Sequence, residues 1–314
     1  MLTTKQHIWV EKYRPSRISE CILPDTLKTT LQAIVDSGEM QNLLFSGGPG
    51  CGKTTAAIAM CEEMGAEWLK INCSEDGNID TLRTRIRDFA SAQSLSGEQK
   101  VVILDEFDYA NANSFQPALR GFIEEFAINC RFVLTCNFKN RIIEPLHSRC
   151  TCVDFNFSKN EQMKLGSKFL NRLQMILGEE SIHYDDRVIA KMIMRHAPDW
   201  RRILNECQRY SASGEIDVGI LSEIGDVGVH SLMTILKNKE FSKLRGWVVD
   251  NSGNEETEVY RKVYDSLSEN LKAQSVPAVI LILANYQYKA AFAADSEINM
   301  MACLTEIMME AEFK

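Results

Sequence analysis

The sequence lacks any long apolar run. Its longest strongly apolar stretch, Pro277–Ala284, falls far short of the roughly 20 residues a helix needs to cross a bilayer. The opening residues, Met1–Trp9, are polar and hold no apolar core of a secretory leader. Both absences lead us to expect a soluble, intracellular (cytoplasmic) chain with no membrane partner. Zinc-type spacing is missing too. The ten cysteines are scattered, and the nearest pair, Cys150 and Cys152, has no matching Cys/His pair nearby. Several cysteines sit inside apolar or motif segments (Cys51, Cys61, Cys73, Cys136), so reduced, mostly buried thiols are expected. No internal repeat, low-complexity tract or long linker stands out. Net positive charge is absent as well: the formal charge of −8 argues against a protein that coats nucleic acid over its whole surface. A local basic lining remains compatible with it.

What is present is an ordinary globular composition, 45% hydrophobic and 25% charged, over 314 residues. That length suits two or three domains of roughly 100–150 residues each. In the first half, short apolar runs alternate with helix-length segments. Leu43–Phe45, Trp68–Ile71, Val101–Leu104, Phe132–Thr135 and Cys152–Phe155 read as buried strands. Thr55–Met64, Asp80–Ala92 and Ser114–Phe126 read as helices between them. This alternation predicts an α/β fold with a mostly parallel five-stranded sheet covered on both faces. After about Asp154 the strand signal ends and helical spacing takes over in Asn160–Leu177, Asp186–His196 and Trp200–Tyr210, with Ser158 and Asp185 as N-caps. A third, helical block begins near Val229. There Val259, Val263, Leu267 and Leu271 share one helix face, Pro277 opens a very apolar helix, and Ser296 is expected to cap a last, Met-rich one.

Gly47–Thr54 (GGPGCGKT) fits G-x-x-x-x-G-K-[ST] in full, after an apolar strand and before a helix. Glycines there let the backbone wrap phosphates, and the helix N-terminus adds its positive end. Lys53 is the expected partner of the β- and γ-phosphates, and the Thr54 hydroxyl a ligand of Mg²⁺. Independently, the buried strand Val101–Leu104 ends in Asp105 and Glu106. Asp105 suits holding Mg²⁺ directly or through a bound water, and Glu106 suits activation of the attacking water. Asp108 is expected either to cap the following helix or to serve the site. These two motifs predict ATP hydrolysis.

Three more groups follow in order: Thr135-Cys-Asn137 at a strand end, Ser148-Arg149-Cys150 on a loop, and Trp200-Arg201-Arg202 in the helical block. With Trp9–Pro15 (WVEKYRP), Asn72–Asp80 (NCSEDGNID), Gln116–Arg120 and Pro145–Cys150 (PLHSRC), the chain resembles AAA+ ATPases, and within them clamp-loader subunits of the replication factor C type. Phe107-Asp108 and Ile22–Pro24 lean towards the large subunits of T4-like phage clamp loaders. Motif resemblance covers about Trp9 to Asn205. It implies an AAA+ nucleotide-binding domain at 1–154, a helical lid at 155–228 and an all-α collar that joins subunits at 229–314. It further implies Asn137 as sensor 1, Arg201 (with Arg202 the alternative) as sensor 2, and Arg149 as an arginine finger acting in trans on a neighbour's ATP. The adenine pocket would be walled by Val10, Glu11, Lys12, Tyr13, Arg14 and Ile22. Gly48, Pro49, Gly50, Cys51, Gly52, Lys53, Thr54, Thr55 and Arg201 would line the rest of the nucleotide site.

Arg83 and Arg87 stand four apart on one helix face, with Arg85 pointing elsewhere. Alone they read as a solvated face; by the resemblance they line a central channel and touch DNA phosphates. Gln116 and Arg120 are expected to couple DNA to the catalytic site. The implied partners are a sliding clamp, primer-template DNA and other loader subunits, copies of this chain plus a different one, in a pentamer. The implied function is ATP-driven clamp loading in DNA replication, in the host cytoplasm if the source is viral. Two alternatives remain beside it: another AAA+ DNA motor, for branch migration or unwinding, and a nucleotide-gated scaffold without turnover.

Overall fold

The structure, a computed structural model, describes residues 8–75, 79–92, 99–211, 214–216, 227–251, 256–290, 292–293 and 295–314. The expectations that fall on residues 1–7 and on Asp76–Asn78 lie outside the described residues. The chain divides into two compact units, Met1–Asp217 and Val218–Lys314.

In chain order the first unit contains α1 (Trp9–Lys12), α2 (Asp25–Asp36), β1 (Leu43–Ser46), α3 (Lys53–Glu63), β2 (Glu67–Asn72), α4 (Ile79–Ser91), β3 (Lys100–Asp105) and α5 (Phe115–Glu125). It continues with β4 (Cys130–Cys136), α6 (Glu144–His147), β5 (Thr151–Asp154), α7 (Lys159–Glu179), β6 (His183–Tyr184), α8 (Asp186–His196), α9 (Trp200–Ser211) and β7 (Glu215–Ile216). The five main strands pair in parallel in the order β2-β3-β4-β1-β5. β1 and β3 are buried along their whole length, because they lie inside the sheet with both faces covered. β2 and β5, expected to be buried, are instead the two outer strands, and most of their residues keep partial or full exposure. The parallel register brings the strand ends Ser46, Asn72, Asp105 and Cys136 to one edge of the sheet. In open α/β sheets that carboxyl edge is where ligands bind.

A core of fully buried side chains, among them Leu44, Val102, Leu104, Phe107, Leu119, Phe132 and Leu134, fixes this register from within. A slip in register would separate these side chains from the neighbours they are packed against. Helix α7 starts where its cap chemistry dictates. The Ser158 side chain accepts from the Glu161 N–H while the Glu161 carboxylate accepts from the Ser158 N–H, a reciprocal capping box. Asp185 caps α8 as expected, accepting from the Arg187 N–H. The short parallel pair β6–β7 has two residues per strand, too few for any periodicity in the sequence to reveal.

The second unit is helical: α10 (Val227–Lys237), α11 (Phe241–Asp250), α12 (Glu256–Asn270), α13 (Val276–Ala290) and α14 (Ser296–Glu310). Val259, Val263 and Leu267 form the expected apolar face of α12; Leu271, expected on the same face, falls just past the helix end but is buried with them beside Leu232, Leu283 and Leu304. The cap of α14 is Asp295, whose carboxylate accepts from the Ile298 N–H, and not Ser296, which is the first helical residue. One polar knot crosses this core. Asn299 donates to Glu256 Oε2 (2.8 Å) and to the Tyr260 hydroxyl (3.0 Å), and Tyr260 donates to the same carboxylate (3.1 Å). Burial above all pushes the Tyr260 phenol up, so it remains a donor. Asn299→Ala should therefore destabilise this unit by roughly 2–3 kcal/mol, since it strips a donor from a buried carboxylate; a denaturant titration followed by helical circular dichroism would measure the loss.

Candidate active site

β1 runs directly into the glycine-rich loop. Gly50 and Gly52 adopt left-handed φ angles of +66° and +98°, which a side chain would strain and which let the backbone curl around an anion. Lys53 and Thr54 begin α3 and are both buried. The Lys53 ammonium donates to the Gly47 carbonyl (2.8 Å), the Gly48 carbonyl (2.6 Å) and Asn137 Oδ1 (2.9 Å). Thr54 Oγ1 donates to Asp105 Oδ1 at 2.6 Å. The predicted loop lysine, hydroxyl, strand-end carboxylate and sensor asparagine thus converge from three places: the start of α3, the end of β3 and the residue after β4.

Burial pushes the Asp105 carboxyl up, but donors from Thr135 (2.6 Å), Thr54 and Lys70 outweigh it, and the group is held below the usual aspartate value. It is therefore a carboxylate at neutral pH. Glu106 follows in a left-handed conformation, φ +54°, its N–H held by Thr135 Oγ1 at 3.1 Å. A non-glycine residue in that region is uncommon and marks a locally constrained position. Asp108 does not cap α5, whose N-terminus has no side-chain cap. Instead it is buried, and its Oδ2 accepts the backbone N–H groups of Asn137 (3.3 Å) and Phe138 (3.2 Å). Its work is to fix the loop that carries Asn137. Nothing in its local sequence announces this, because the partners lie about thirty residues away.

Above the loop, the helices after Asn156 close the cleft. Gly50 sits so near them that a Cβ would lie 1.7 Å from Asp199 Oδ1, and its carbonyl accepts from the Trp200 N–H at 3.2 Å. Arg201 lines the cleft with Gly50, Lys53 and Thr54, whereas the Arg202 backbone N–H is taken by Asp199. Val10, Tyr13, Arg14 and Ile22 line the inner part, together with Leu23 and Trp200, which belong to recognised motifs but had no expected place in this wall, and with Cys21, Phe169 and Arg172, which carried no sequence signal. Trp200 stacks on Phe169 with ring centroids 4.7 Å apart. Lys12, expected in this wall, points elsewhere; its ammonium pairs with Glu180 at 2.6 Å. Glu11 and Pro49 border the outer part, beside Asp105, Glu106 and Asn137. Gly48 contributes through its carbonyl on Lys53.

Arg149 is not among the residues lining its own cleft. Its guanidinium rests on Glu124 (2.7 and 3.0 Å) and on the Pro145 carbonyl (3.0 Å). Arg83 and Arg87 are exposed on α4, and Arg87 lies 3.6 Å from Glu125 of α5. Gln116 is fully buried: its amide donates to the Ala110 and Arg141 carbonyls and accepts from the Ile143 N–H. It bridges the loop after β3 to the loop after β4.

Two buried donors that line the cleft, Arg14 Nε and Trp200 Nε1, find no hydrogen-bond partner among the described residues. Unmet donors, a glycine cradle and a buried lysine suit a polyanionic nucleotide, and the hard oxygens of Thr54 and Asp105 suit Mg²⁺.

Comparisons with known proteins agree with this geometry. Residues 43–157 match the ATPase family associated with various cellular activities (AAA), and residues 161–222 match the sliding-clamp-loader large subunit, AAA+ ATPase lid domain. The chain is 34% identical to the sliding-clamp-loader large subunit of Enterobacteria phage T4, covering 99% of this chain and 98% of that one. It is 32% identical to the protein of the same name from Escherichia phage RB69, over 100% and 99% of the two chains. It is also 30% identical to a replication factor C small subunit of Halobacterium salinarum, over 98% of each. Among solved structures, the RuvB Holliday junction branch migration motor of Thermotoga maritima shares the fold, with a TM-score of 0.50 at 18% identity, covering 72% of this chain and 80% of that one. Such a fold is that of nucleotide-binding P-loop ATPases. Gly50→Ala should lower the stability of the first unit by about 1–3 kcal/mol, because it combines backbone strain with a clash against Asp199; a thermal melt should show the drop.

Proposed function

The chain belongs to the sliding-clamp-loader and replication factor C family of AAA+ ATPases, and from that premise we propose how its site works. It is an ATPase subunit of a multi-subunit assembly that loads a sliding clamp onto DNA during replication. The observation that carries the reading is the junction of Lys53, Asn137, Thr54 and Asp105 within 2.6–2.9 Å at the carboxyl edge of the sheet.

In our reading Lys53 neutralises the β- and γ-phosphates of ATP, steadied by Asn137. Thr54 and Asp105 would hold Mg²⁺, which when bound would offset the charge of the phosphates. Glu106 orients the attacking water and accepts its proton. Arg201 brings the helical lid onto the phosphates, so that nucleotide and lid position depend on each other. Val10, Tyr13, Arg14 and Ile22 receive the adenine and its sugar. Arg149 serves a neighbouring subunit's ATP, which is why it stands outside its own cleft. Each site is then complete only in an assembly, a pentamer of copies of this chain with a different subunit. The partition into nucleotide domain, lid and collar near Asp154 and Gly228 belongs to the same proposal. Arg83 and Arg87 contact DNA phosphates without reading sequence. The place of action is the cytoplasm of a phage-infected host.

The experiment is ATP turnover by the complete assembly with clamp and primer-template DNA. Glu106→Gln should lower kcat at least about 10²-fold while ATP binding persists. Arg149→Ala should lower the DNA- and clamp-stimulated rate by about 10³-fold and leave the chain's own ATP binding intact. Full stimulated turnover by Arg149→Ala protein would refute the trans role.

A further inference from the structure

Asp105 makes a charged contact that the scheme above does not use. Lys70 of β2 places its ammonium 2.9 Å from Asp105 Oδ2, while Oδ1 of the same carboxylate accepts from Thr54 and Thr135 at 2.6 Å each. Both carboxylate oxygens are therefore engaged, one by neutral hydroxyls and the other by a full positive charge. Lys70 and Asn72 lie two apart on β2 and so face the same side of the strand. Both line the cleft alongside Asp105, Glu106 and Asn137. The pair is partly sheltered, with the Lys70 side chain 34% exposed and that of Asp105 10%.

Anchoring the strand does not account for this lysine. β2 is already held to β3 by a parallel ladder that runs from Glu67–Lys100 to Asn72–Asp105. The side chain instead crosses to the end of β3, where its charge meets the carboxylate proposed to hold the divalent cation.

We propose that Lys70 is a resident counter-ion of the metal site, neutralising Asp105 when Mg²⁺ is away and competing with Mg²⁺ for that carboxylate when it arrives. This rests on the ATP reading above and deepens it. Lys70 then sets how strongly nucleotide binding depends on the metal. With the lysine in place, metal-free ATP meets a neutralised carboxylate, and Mg²⁺ must displace a cation to reach it. Without the lysine, the bare carboxylate attracts Mg²⁺ more strongly and repels metal-free ATP. The two effects act in opposite directions on the two forms of the nucleotide, so they widen the gap between them. By linkage, the metal's effect on ATP affinity equals ATP's effect on metal affinity.

The test measures the Kd of the full-length chain for a fluorescent, non-hydrolysable ATP analogue, in excess Mg²⁺ and in EDTA. In Lys70→Met the ratio of the EDTA value to the Mg²⁺ value should rise roughly three- to tenfold, with a lower half-saturating Mg²⁺ concentration. Lys70→Arg, which keeps the charge, should stay near the wild-type ratio. Lys70→Gln keeps a donor to Asp105 without the charge, guards against a variant that fails to fold, and should behave as Lys70→Met. A merely structural pair would change the melting temperature but not this ratio. An unchanged ratio in Lys70→Met or Lys70→Gln, with Mg²⁺–nucleotide still bound, overturns the counter-ion role alone. A wild-type chain that binds no nucleotide, or binds it equally well after Lys53→Ala, overturns the ATP reading and this proposal with it.

Discussion

The carboxylate of Asp105 is the point at which the first unit's fold becomes chemistry. β3 is buried from end to end and delivers this one acidic group to the rim of the sheet. There it meets Thr54 from α3, Thr135 from β4 and Lys70 from β2, so both strands beside β3 and the phosphate-loop helix each contribute a donor. Their meeting depends on the parallel register, which sets Asn72 beside Asp105 and Leu104 beside Leu134. Apolar packing holds that register, since Val101, Val102, Ile103 and Leu104 are all inaccessible to solvent. The polar groups contribute little net stability of their own; the core holds them where water would otherwise disperse them.

A second set of buried polar side chains carries this rigidity outward. Asp108 grips the backbone of Asn137 and Phe138, and Gln116 grips that of Arg141 and Ile143. Both therefore tie the segment after β3 to the segment after β4, which would otherwise be an unsupported loop. Glu106 stands between these ties in its left-handed conformation. Gln116 of α5 is thus hydrogen-bonded to the same segment that places Asn137 against Lys53. Gln116, expected to couple DNA to the catalytic site, is fully buried, and its side chain meets only backbone groups inside the fold.

The sheet, its order of elements and the phosphate-loop chemistry were legible because each rests on local spacing: five apolar runs, GGPGCGKT, and a buried strand ending in Asp-Glu. Caps were legible where the side chain sits next to its acceptor group, as at Ser158 and Asp185, and misplaced by one residue at Asp295, where Asp and Ser adjoin. Contacts between residues distant in sequence were not legible. Lys70 looks like any strand lysine until the register puts it beside Asp105. Asp108 looks like a cap until β4 passes it. Lys12 belongs to a motif that walls the cleft, yet a glutamate far along the chain, Glu180, draws it away. Gly50 reads as a phosphate-loop glycine, but it also admits the close approach of Asp199, a requirement that only the packed lid imposes.

The acidic balance of the chain takes on meaning at the end of α5. Glu124 and Glu125 are adjacent there; Glu124 holds Arg149 and Glu125 approaches Arg87. The arginine proposed to meet a neighbour's nucleotide and the one proposed to meet DNA thus rest on consecutive carboxylates. Exposed ion pairs of this kind are weak in water and are screened by salt. A phosphate group, with more charge and several acceptor oxygens, can replace a single glutamate at either arginine. While no phosphate is present, the same glutamates mask positive charge and limit indiscriminate attraction to nucleic acid. A chain of net charge −8 can therefore serve polyanions, provided its arginines are held in reserve by partners they can exchange. The acidity that argues against coating nucleic acid over the whole surface is thus compatible with a few local arginine contacts, which several subunits of an assembly would add together.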